Sequence, residues 1–173
     1  MKFSSIKKKL CLLLYYGIAQ YLPDSYCSIH FVGNLSNAIR VSLCKQIFYK
    51  CGNIRTINKK VNFGSGKLIE MGDESGIGAR TQIPSNTIIG SHVMLGRDSF
   101  ILAANHRFDR IDVPINDQGD LPSKQTIIED DCWIGIRCIF TPGRIIKKRN
   151  YNWNGFCCHK GFPRILYYWR CAC

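Results

Sequence analysis

A large apolar side chain returns at every sixth position through the middle of the chain. The first run comprises Met71, Ile77, Ile83, Ile89, Leu95 and Ile101, and the second comprises Ile128, Ile134, Phe140 and Ile146. Neither the helical period nor the alternation of a strand gives a spacing of six. This period is typical of a solenoid in which short strands alternate with tight bends, with roughly 18 residues in each three-sided coil. The pattern therefore predicts a mainly β fold of stacked coils.

Small or bend-forming residues follow most positions of the first run. They are Gly72, Gly78, Pro84, Gly90 and Gly96. We expect the apolar side chains to point inward and form columns, while the next residue is small because the chain turns a corner beside it. A single coil cannot bury its own inner face, so the array is stable only as a stack.

Residues 1–52 are predicted to form a helical prefix. Residues 6–20 contain three lysines followed by an apolar run that is too short to span a bilayer and has no cleavage site of a signal peptide. This segment is expected to be a helix that either docks on the core or lies on a membrane surface. Pro23 ends it.

A second helix is predicted over residues 34–50. We expect it to bury one stripe and to leave Arg40, Lys45 and Lys50 outside, with Gly52 ending the helix. The predicted stripe comprises Leu35, Ile39, Val41, Leu43, Ile47 and Phe48. Residues 53–70 then form an imperfect first coil, entered through Ile54, Ile57, Val61 and Ile69.

The hexad period fails once, between Ile101 and Ile128, because the interval of 27 residues is not a multiple of six. The β-helix is therefore predicted over residues 53–146, with a loop at 102–127 that leaves the coils and returns. Long excursions from a rigid scaffold often carry binding and catalytic residues.

His106 in this loop is a candidate general base. Acyl transfer to a hydroxyl needs a group that accepts a proton near neutral pH, which histidine does. Asp109 follows it closely, and a carboxylate or carbonyl neighbour would fix the imidazole tautomer. The alternative is a solvated loop histidine. His92 is expected to face solvent, whereas His30 lacks an informative context.

Several motifs resemble those of the hexapeptide-repeat acyltransferases. They are Ile77-Gly78, Ile89-Gly90, Leu95-Gly96, Ile134-Gly135 and the segment from Phe140 to Gly143. The loop string from Asn105 to Asp109 is similar to that of sugar O-acetyltransferases of the O-antigen and capsule type, in which this histidine is the general base. The resemblance implies a left-handed parallel β-helix, a handedness that departs from the usual right-handed crossover.

The resemblance also implies acetyl-CoA as the acyl donor, a homotrimer, no metal, and a surface-polysaccharide sugar or its precursor as the acceptor. Trp133, Gly135 and the backbone amide of Ile136 would lie beside the thioester. For Trp133 the alternative is packing against Ile101 and Phe108. The acceptor would be bound by Asn105, Arg107, Phe108 and Asp109. The alternative for Arg107, Phe108, Asp109 and also Asp112 is that they only brace the loop.

The charge distribution narrows the choice of partners. The net charge is +12, with ten basic residues against one acidic in 1–60, and eight against eleven in 61–146. The basic residues are not interleaved with a stacking-aromatic or groove-helix motif, so nucleic acid is not expected. The basic prefix is expected to meet anionic lipid, a phosphorylated carrier or only water. The cysteines show no metal-ligand spacing, which favours reduced thiols and a cytoplasmic location.

Residues 147–173 depart from the family pattern. The positions where the period should continue hold Asn152 and Cys158, and the segment has six basic residues and no acidic one. Synonymous codons for Arg149 onward, read one base later, can encode isoleucine at position 152, glycine at 153 and valine at 158. We therefore interpret this segment as a frameshifted or truncated tail. Two alternatives to an active O-acetyltransferase stay open: an inactive remnant of one, and a non-catalytic β-solenoid that binds a partner.

Overall fold

The chain folds into a helical prefix followed by a stack of parallel strands. The computed structural model describes residues 2–152 and 157–158, with side chains from residue 6 to residue 151. The prefix contains helix α1, Lys2–Gly17, a single 3-10 turn at Ala19–Tyr21, and helix α2, His30–Ile47. Both helices were predicted, but α2 begins and ends earlier than expected because the chain is already extended at Phe48 and enters the first strand at Lys50.

The strands form three flat faces of a prism. The first face contains β1 (Lys50–Cys51), β3 (Glu70–Met71), β5 (Ile88–Ile89), β8 (Ile127–Ile128) and β11 (Ile145–Ile146). The second contains β2 (Thr56–Ile57), β4 (Gly76–Ile77), β6 (Met94–Leu95), β9 (Trp133–Ile134) and β12 (Tyr151–Asn152). The third contains β7 (Phe100–Ile101), β10 (Ile139–Phe140) and β13 (Cys157–Cys158), and bridges at Gln82 extend it. Every strand pair is parallel, as a stack of coils requires.

The predicted inward column is confirmed. All ten hexad positions from Met71 to Ile146 are buried. A second inward column, which the apolar period does not reveal, lies two residues before the first nine of them: Ile69, Ser75, Thr81, Thr87, Val93, Ser99, Thr126, Cys132 and Cys138. Arg144, two residues before Ile146, is only half-buried. The polar members bond to the backbone, as when the Ser75 hydroxyl donates to the Gly90 carbonyl at 2.6 Å. Hydroxyl and thiol side chains fit this column because they are small and, with one exception (Thr126), have a bonding partner.

The glycines after the hexad positions allow the coils to approach closely. A Cβ atom added to Gly96 would fall on the carbonyl of Gly135 and within 2.8 Å of the carbonyl oxygen of Ile134, both in the next coil. A Cβ on Gly78 would meet the backbone of Gly96 and Arg97 in the same way. The small residue is therefore required by stacking between coils as well as by the corner.

The predicted orientation of α2 holds at its end, where Ile47 is buried and Lys45 is exposed, but it is wrong earlier in the helix. Arg40, expected outside, is fully buried, while Leu35 and Ile39 are exposed. The Arg40 guanidinium donates to the carbonyl of Ile57 at 2.7 Å, and its other bonds go to the carbonyls of Ala19, Leu22 and Pro23 and to the hydroxyl of Ser25. Buried carbonyls of the inter-helix connection and of the first coil need donors, and one arginine donates to four of them.

Helix α1 docks on the first coil through two tyrosines. The buried Tyr15 hydroxyl donates to the carbonyl of Val61 at 3.0 Å, and the Tyr16 hydroxyl donates to the carbonyl of Gly64 at 3.0 Å. Both rings contact Phe63. The side of α1 that carries the tyrosines therefore faces the coils.

Regular pairing continues beyond residue 146. Strand β12 pairs in register with β9, and β13 pairs with β10, so Asn152 and Cys158 occupy the backbone positions of hexad residues. The pattern predicts an irregular tail from 147, but backbone hydrogen bonds between coils do not depend on an aliphatic side chain. Residues 153–156 and 159–173, His159 among them, lie outside the described residues.

Candidate active site

The excursion from the prism is a loop between β7 and β8. Strand β5 pairs directly with β8, so the chain returns to the first face at the next coil. Inside the loop, the Arg107 amide donates to the carbonyl of Gly119 at 2.9 Å, and the Leu121 amide donates to the carbonyl of Asn105 at 2.7 Å. These bonds form an antiparallel bridge that places His106 opposite Asp120.

His106 and Asp120 form a side-chain pair across this bridge. The imidazole Nδ1 lies 2.8 Å from Oδ1 of Asp120, and the two side chains are 75% and 63% exposed. A carboxylate that accepts from Nδ1 selects the tautomer in which Nε2 carries a lone pair. The arrangement can therefore present a proton acceptor to a hydroxyl that approaches from solvent. Asp120, and not Asp109, is the acid beside the ring.

The four candidate acceptor residues lie together on the loop and face solvent. Asn105, Arg107, Phe108 and Asp109 are all exposed. Behind them, Arg110 pairs with Asp112, and the Gln118 amide donates to the carbonyl of Val113 at 2.8 Å. Asp112 therefore forms a local ion pair with Arg110, and Phe108 and Asp109 are open to solvent.

Trp133 lies elsewhere, on the second face of the prism. Its ring is half exposed and packs against Tyr151, with ring centroids 4.3 Å apart. This contact with Tyr151 differs from the alternative of packing against Ile101 and Phe108. Trp133 forms one end of a groove of about 600 Å³ along this face. The walls of the groove include Tyr26, Arg55, Glu74, Met94, Arg97 and Trp133. The lining of the groove combines aromatic and apolar side chains with charged ones.

Gly135 and Ile136 follow Trp133 at the corner of the prism. Gly135 is buried and its carbonyl accepts a bond from the Ser99 hydroxyl at 3.2 Å, while Ile136 is half-buried. The Gly135 backbone also lies against Gly96 of the preceding coil. This contact fixes the position of the backbone that follows Trp133.

The structure does not bring the two sets of predicted residues together within one chain. His106 and its neighbours lie on the loop that follows the third face, and Trp133 lies in the groove of the second face, whose walls contain none of the loop residues.

The fold is shared with solved acyltransferase structures. A hexapeptide-repeat-containing acetyltransferase from Vibrio cholerae matches 89% of this chain and 80% of its own, with a TM-score of 0.63 and 21% identity. A maltose O-acetyltransferase from Clostridium difficile 630 matches 94% of this chain and 81% of its own, with a TM-score of 0.62 and 20% identity. An N-acyltransferase from Bacillus cereus matches 70% of this chain and 78% of its own, with a TM-score of 0.52 and 16% identity.

This chain has the fold of the hexapeptide-repeat acetyltransferases. The likeness lies in the structure, since neither the family models nor the curated proteins give a match to the sequence. The Vibrio cholerae protein has also been solved with acetyl coenzyme A. The expectation of a hexapeptide-repeat β-helix behind a short helical region is confirmed.

Some residues of the candidate site were missed by sequence reasoning. Asp120 follows the Gln118-Gly119 pair, and its position opposite His106 depends on a bridge that only the folded loop shows. Tyr26, Arg55 and Arg97 come from three separate parts of the chain and meet only because the coils stack. Among the residues that the structure describes, no group of three or more histidine, cysteine or acidic side chains is placed to hold a metal ion.

Proposed function

We propose that this protein is an acetyl-CoA-dependent O-acetyltransferase that acts on a hydroxyl of a surface-polysaccharide sugar or its precursor. The observation that carries the proposal is the exposed His106 ring, held by Asp120 at Nδ1 on a loop of the acetyltransferase fold. A lone solvated histidine would not need an acidic partner placed opposite it by two backbone hydrogen bonds.

The proposed chemistry is a direct acyl transfer. Nε2 of His106 accepts the proton of the sugar hydroxyl while that oxygen attacks the thioester carbonyl carbon. The carbon–sulfur bond then breaks, the ester forms, and the proton passes from the imidazolium to the departing thiolate of coenzyme A. Asp120 stabilises the imidazolium in between.

The acyl donor is proposed to lie along the groove that ends at Trp133. The indole offers a flat apolar surface, and the backbone amide of Ile136 is the proposed donor to the oxyanion. Acetyl-CoA is a substrate in this scheme, and no metal takes part. We take the β-helix to be left-handed, as in the acyltransferases that the motifs resemble.

The acceptor is proposed to bind at the loop, through Asn105, Arg107, Phe108 and Asp109. An amide, a guanidinium and a carboxylate provide donors and acceptors for sugar hydroxyls, and an exposed aromatic ring can pack against a sugar face. A solved neighbour that is named for maltose is consistent with a sugar acceptor.

The proposal includes a homotrimer, because one chain does not place His106 beside Trp133. In a ring of three copies, the loop of one chain can meet the groove of the next. The described cysteines are free thiols, which supports a reducing compartment, and we propose the cytoplasm.

The experiment that tests the function is an acetyl transfer assay with a panel of sugars. It compares the natural chain, the His106→Ala variant, and a version in which the codons from Arg149 onward are read one base later. Turnover that His106→Ala abolishes supports the enzyme. Turnover only in the frame-shifted version supports an inactive remnant, and a folded protein without turnover in any version favours a non-catalytic solenoid.

A further inference from the structure

The outer side of α1 is apolar. Tyr15 and Tyr16 fix the inner side against the first coil, so the positions opposite them face away from the protein. These positions are Ile6, Leu10, Leu13 and Leu14 of α1 and Ile18 just beyond its end, and their exposures range from 40% to 70%. We call these five residues the outer stripe. They recur at helical spacing, so they form one continuous surface and not scattered apolar contacts.

A basic cluster adjoins the outer stripe. Lys7, Lys8 and Lys9 lie in the first half of α1, within the span of the stripe; Lys7 and Lys9 are exposed, and Lys8 is half-buried. Residues 1–60 contain only one acidic residue, Asp24. Asp24 accepts a hydrogen bond from the Asn58 amide at 3.1 Å and lies 3.9 Å from the ammonium group of Lys59, so its charge is already engaged. The lysines of α1 therefore have no acid of the prefix to neutralise them.

We propose that α1 binds the surface of an anionic lipid bilayer, with the outer stripe in the interface and the three lysines at the headgroups. An apolar helix face beside a basic cluster is the arrangement that binds such surfaces, because area burial and attraction to anionic lipid add together. The helix lies on the bilayer and does not cross it, since no helix in the described part of the chain is long and apolar enough to span one.

A second copy of the chain fits this surface less well. A second α1 helix packed on the outer stripe would add three more lysines and no acidic residue, so in either orientation it offers no charge complementary to Lys7–Lys9. An anionic bilayer offers the complementary charge and an apolar interior at once. The proposal does not depend on acyl transfer, so the failure of one leaves the other standing.

The test is co-sedimentation of the full chain with phosphatidylcholine vesicles, with and without phosphatidylglycerol. We expect binding only to the anionic vesicles, and weaker binding as salt increases. Changing Lys7, Lys8 and Lys9 to glutamine should weaken binding by about a hundredfold, because each lysine near an anionic surface contributes roughly fivefold. The Lys→Arg version of the same triple variant keeps the charge and should bind as the natural chain does.

The apolar contribution is tested separately with Leu10→Gln and Leu13→Gln together. We expect at least about tenfold weaker binding, because two leucines no longer enter the interface. Leu68→Gln, at an exposed leucine outside the helices, is the matched control and should bind normally. Circular dichroism shows whether each variant stays folded. Equal binding to vesicles with and without phosphatidylglycerol overturns the proposal, and so does unchanged binding by the lysine-to-glutamine variant. The proposal is also overturned if the leucine variant still binds vesicles but no longer forms oligomers.

Discussion

Asp120 Oδ1 lies 2.8 Å from Nδ1 of His106, and the backbone holds the two residues opposite each other. The bridge between the two sides of the loop, through Arg107 and Leu121, is made by main-chain hydrogen bonds. The orientation of the imidazole is therefore set by the loop as a whole and not by one flexible contact. Both side chains remain open to solvent, as the proposed role of His106 as a base requires.

The first prediction concerns this pair. The Asp120→Asn change should lower kcat by roughly tenfold, less than the 10²–10⁴ expected for His106→Ala, because the exposed carboxylate orients and stabilises the ring without taking the proton. The KM for acetyl-CoA should not change, because the donor binds elsewhere. Asp117→Asn, at an exposed acid in the same loop, is the control for a general effect of charge. Equal kcat values for Asp120→Asn and the natural chain would remove Asp120 from the mechanism.

The second prediction concerns the stacking of coils. Gly96→Ala should lower the free energy of unfolding by about 2 kcal/mol or more, because the new methyl group meets the backbone of Gly135, which cannot move without disturbing the next coil. Gly17→Ala is the control, since nothing lies within 4 Å of its added methyl group. It should leave stability unchanged or raise it slightly. Urea unfolding followed by circular dichroism measures both, and equal stabilities would contradict the close approach of the coils.

The sequence pattern predicted the prism well because the hexad repeat is local and periodic. Each inward residue from Met71 to Ile101 occupies the position that its spacing indicates. Arg40 shows where this reasoning ends. The rule that charged residues face water failed because the backbone of the inter-helix connection has buried carbonyl oxygens that need donors. The positions of these carbonyls cannot be predicted from a local sequence pattern.

The third prediction follows from that burial. Arg40→Met should destabilise the protein by roughly 3–5 kcal/mol, because it removes the donors that satisfy buried carbonyls of two separate segments. Lys45→Met changes a basic residue on the same helix that is exposed, and should have little effect. Thermal unfolding distinguishes them. If Arg40→Met unfolds at the same temperature as the natural chain, the hydrogen bonds to Ile57 and Pro23 do not contribute to stability.

The candidate site could be predicted only in part. His106 was recognisable from the string around it, and Trp133 from the Ile134-Gly135 motif that follows. The pairing with Asp120 was not, because a loop of this length can bridge in many registers. Likewise, Tyr26 enters the groove through the packing of the prefix against the coils, and Arg55 through the stacking of the coils, and both depend on contacts far apart in sequence.

The fourth prediction concerns acid sensitivity. Arg80 donates two hydrogen bonds to Asp98, at 2.6 and 2.8 Å, and this lowers the pKa of the Asp98 carboxyl below its ordinary value. The folded state therefore binds the proton less readily than the unfolded state. The stabilisation is complete above the ordinary range of aspartate and is lost as the pH falls through the lowered folded value.

The natural chain should consequently lose more stability than Asp98→Asn when the urea midpoint is compared at about pH 7 and about pH 3. The other carboxylates titrate in both proteins, so the difference between them isolates Asp98. Asp109→Asn, at an exposed loop residue, should follow the natural chain. Parallel curves for Asp98→Asn and the natural chain would show that the Arg80 pair does not respond to protonation.

The last prediction tests whether one active site is built from two chains. His106→Ala and Trp133→Ala variants should each be inactive or weakly active alone, because every site in the proposed homotrimer would lack either the proposed base or the proposed donor surface. When the two are unfolded, mixed equally and refolded together, about a quarter of the sites combine an intact loop with an intact groove, given random assembly of a closed ring. Activity should therefore reappear.

A mixture of His106→Ala with Asp120→Asn has both defects on the loop, so it should show no gain beyond the average of its parts. If mixed trimers form, as tagged copies captured together would prove, and the first mixture still shows no gain, then loop and groove do not belong to one site.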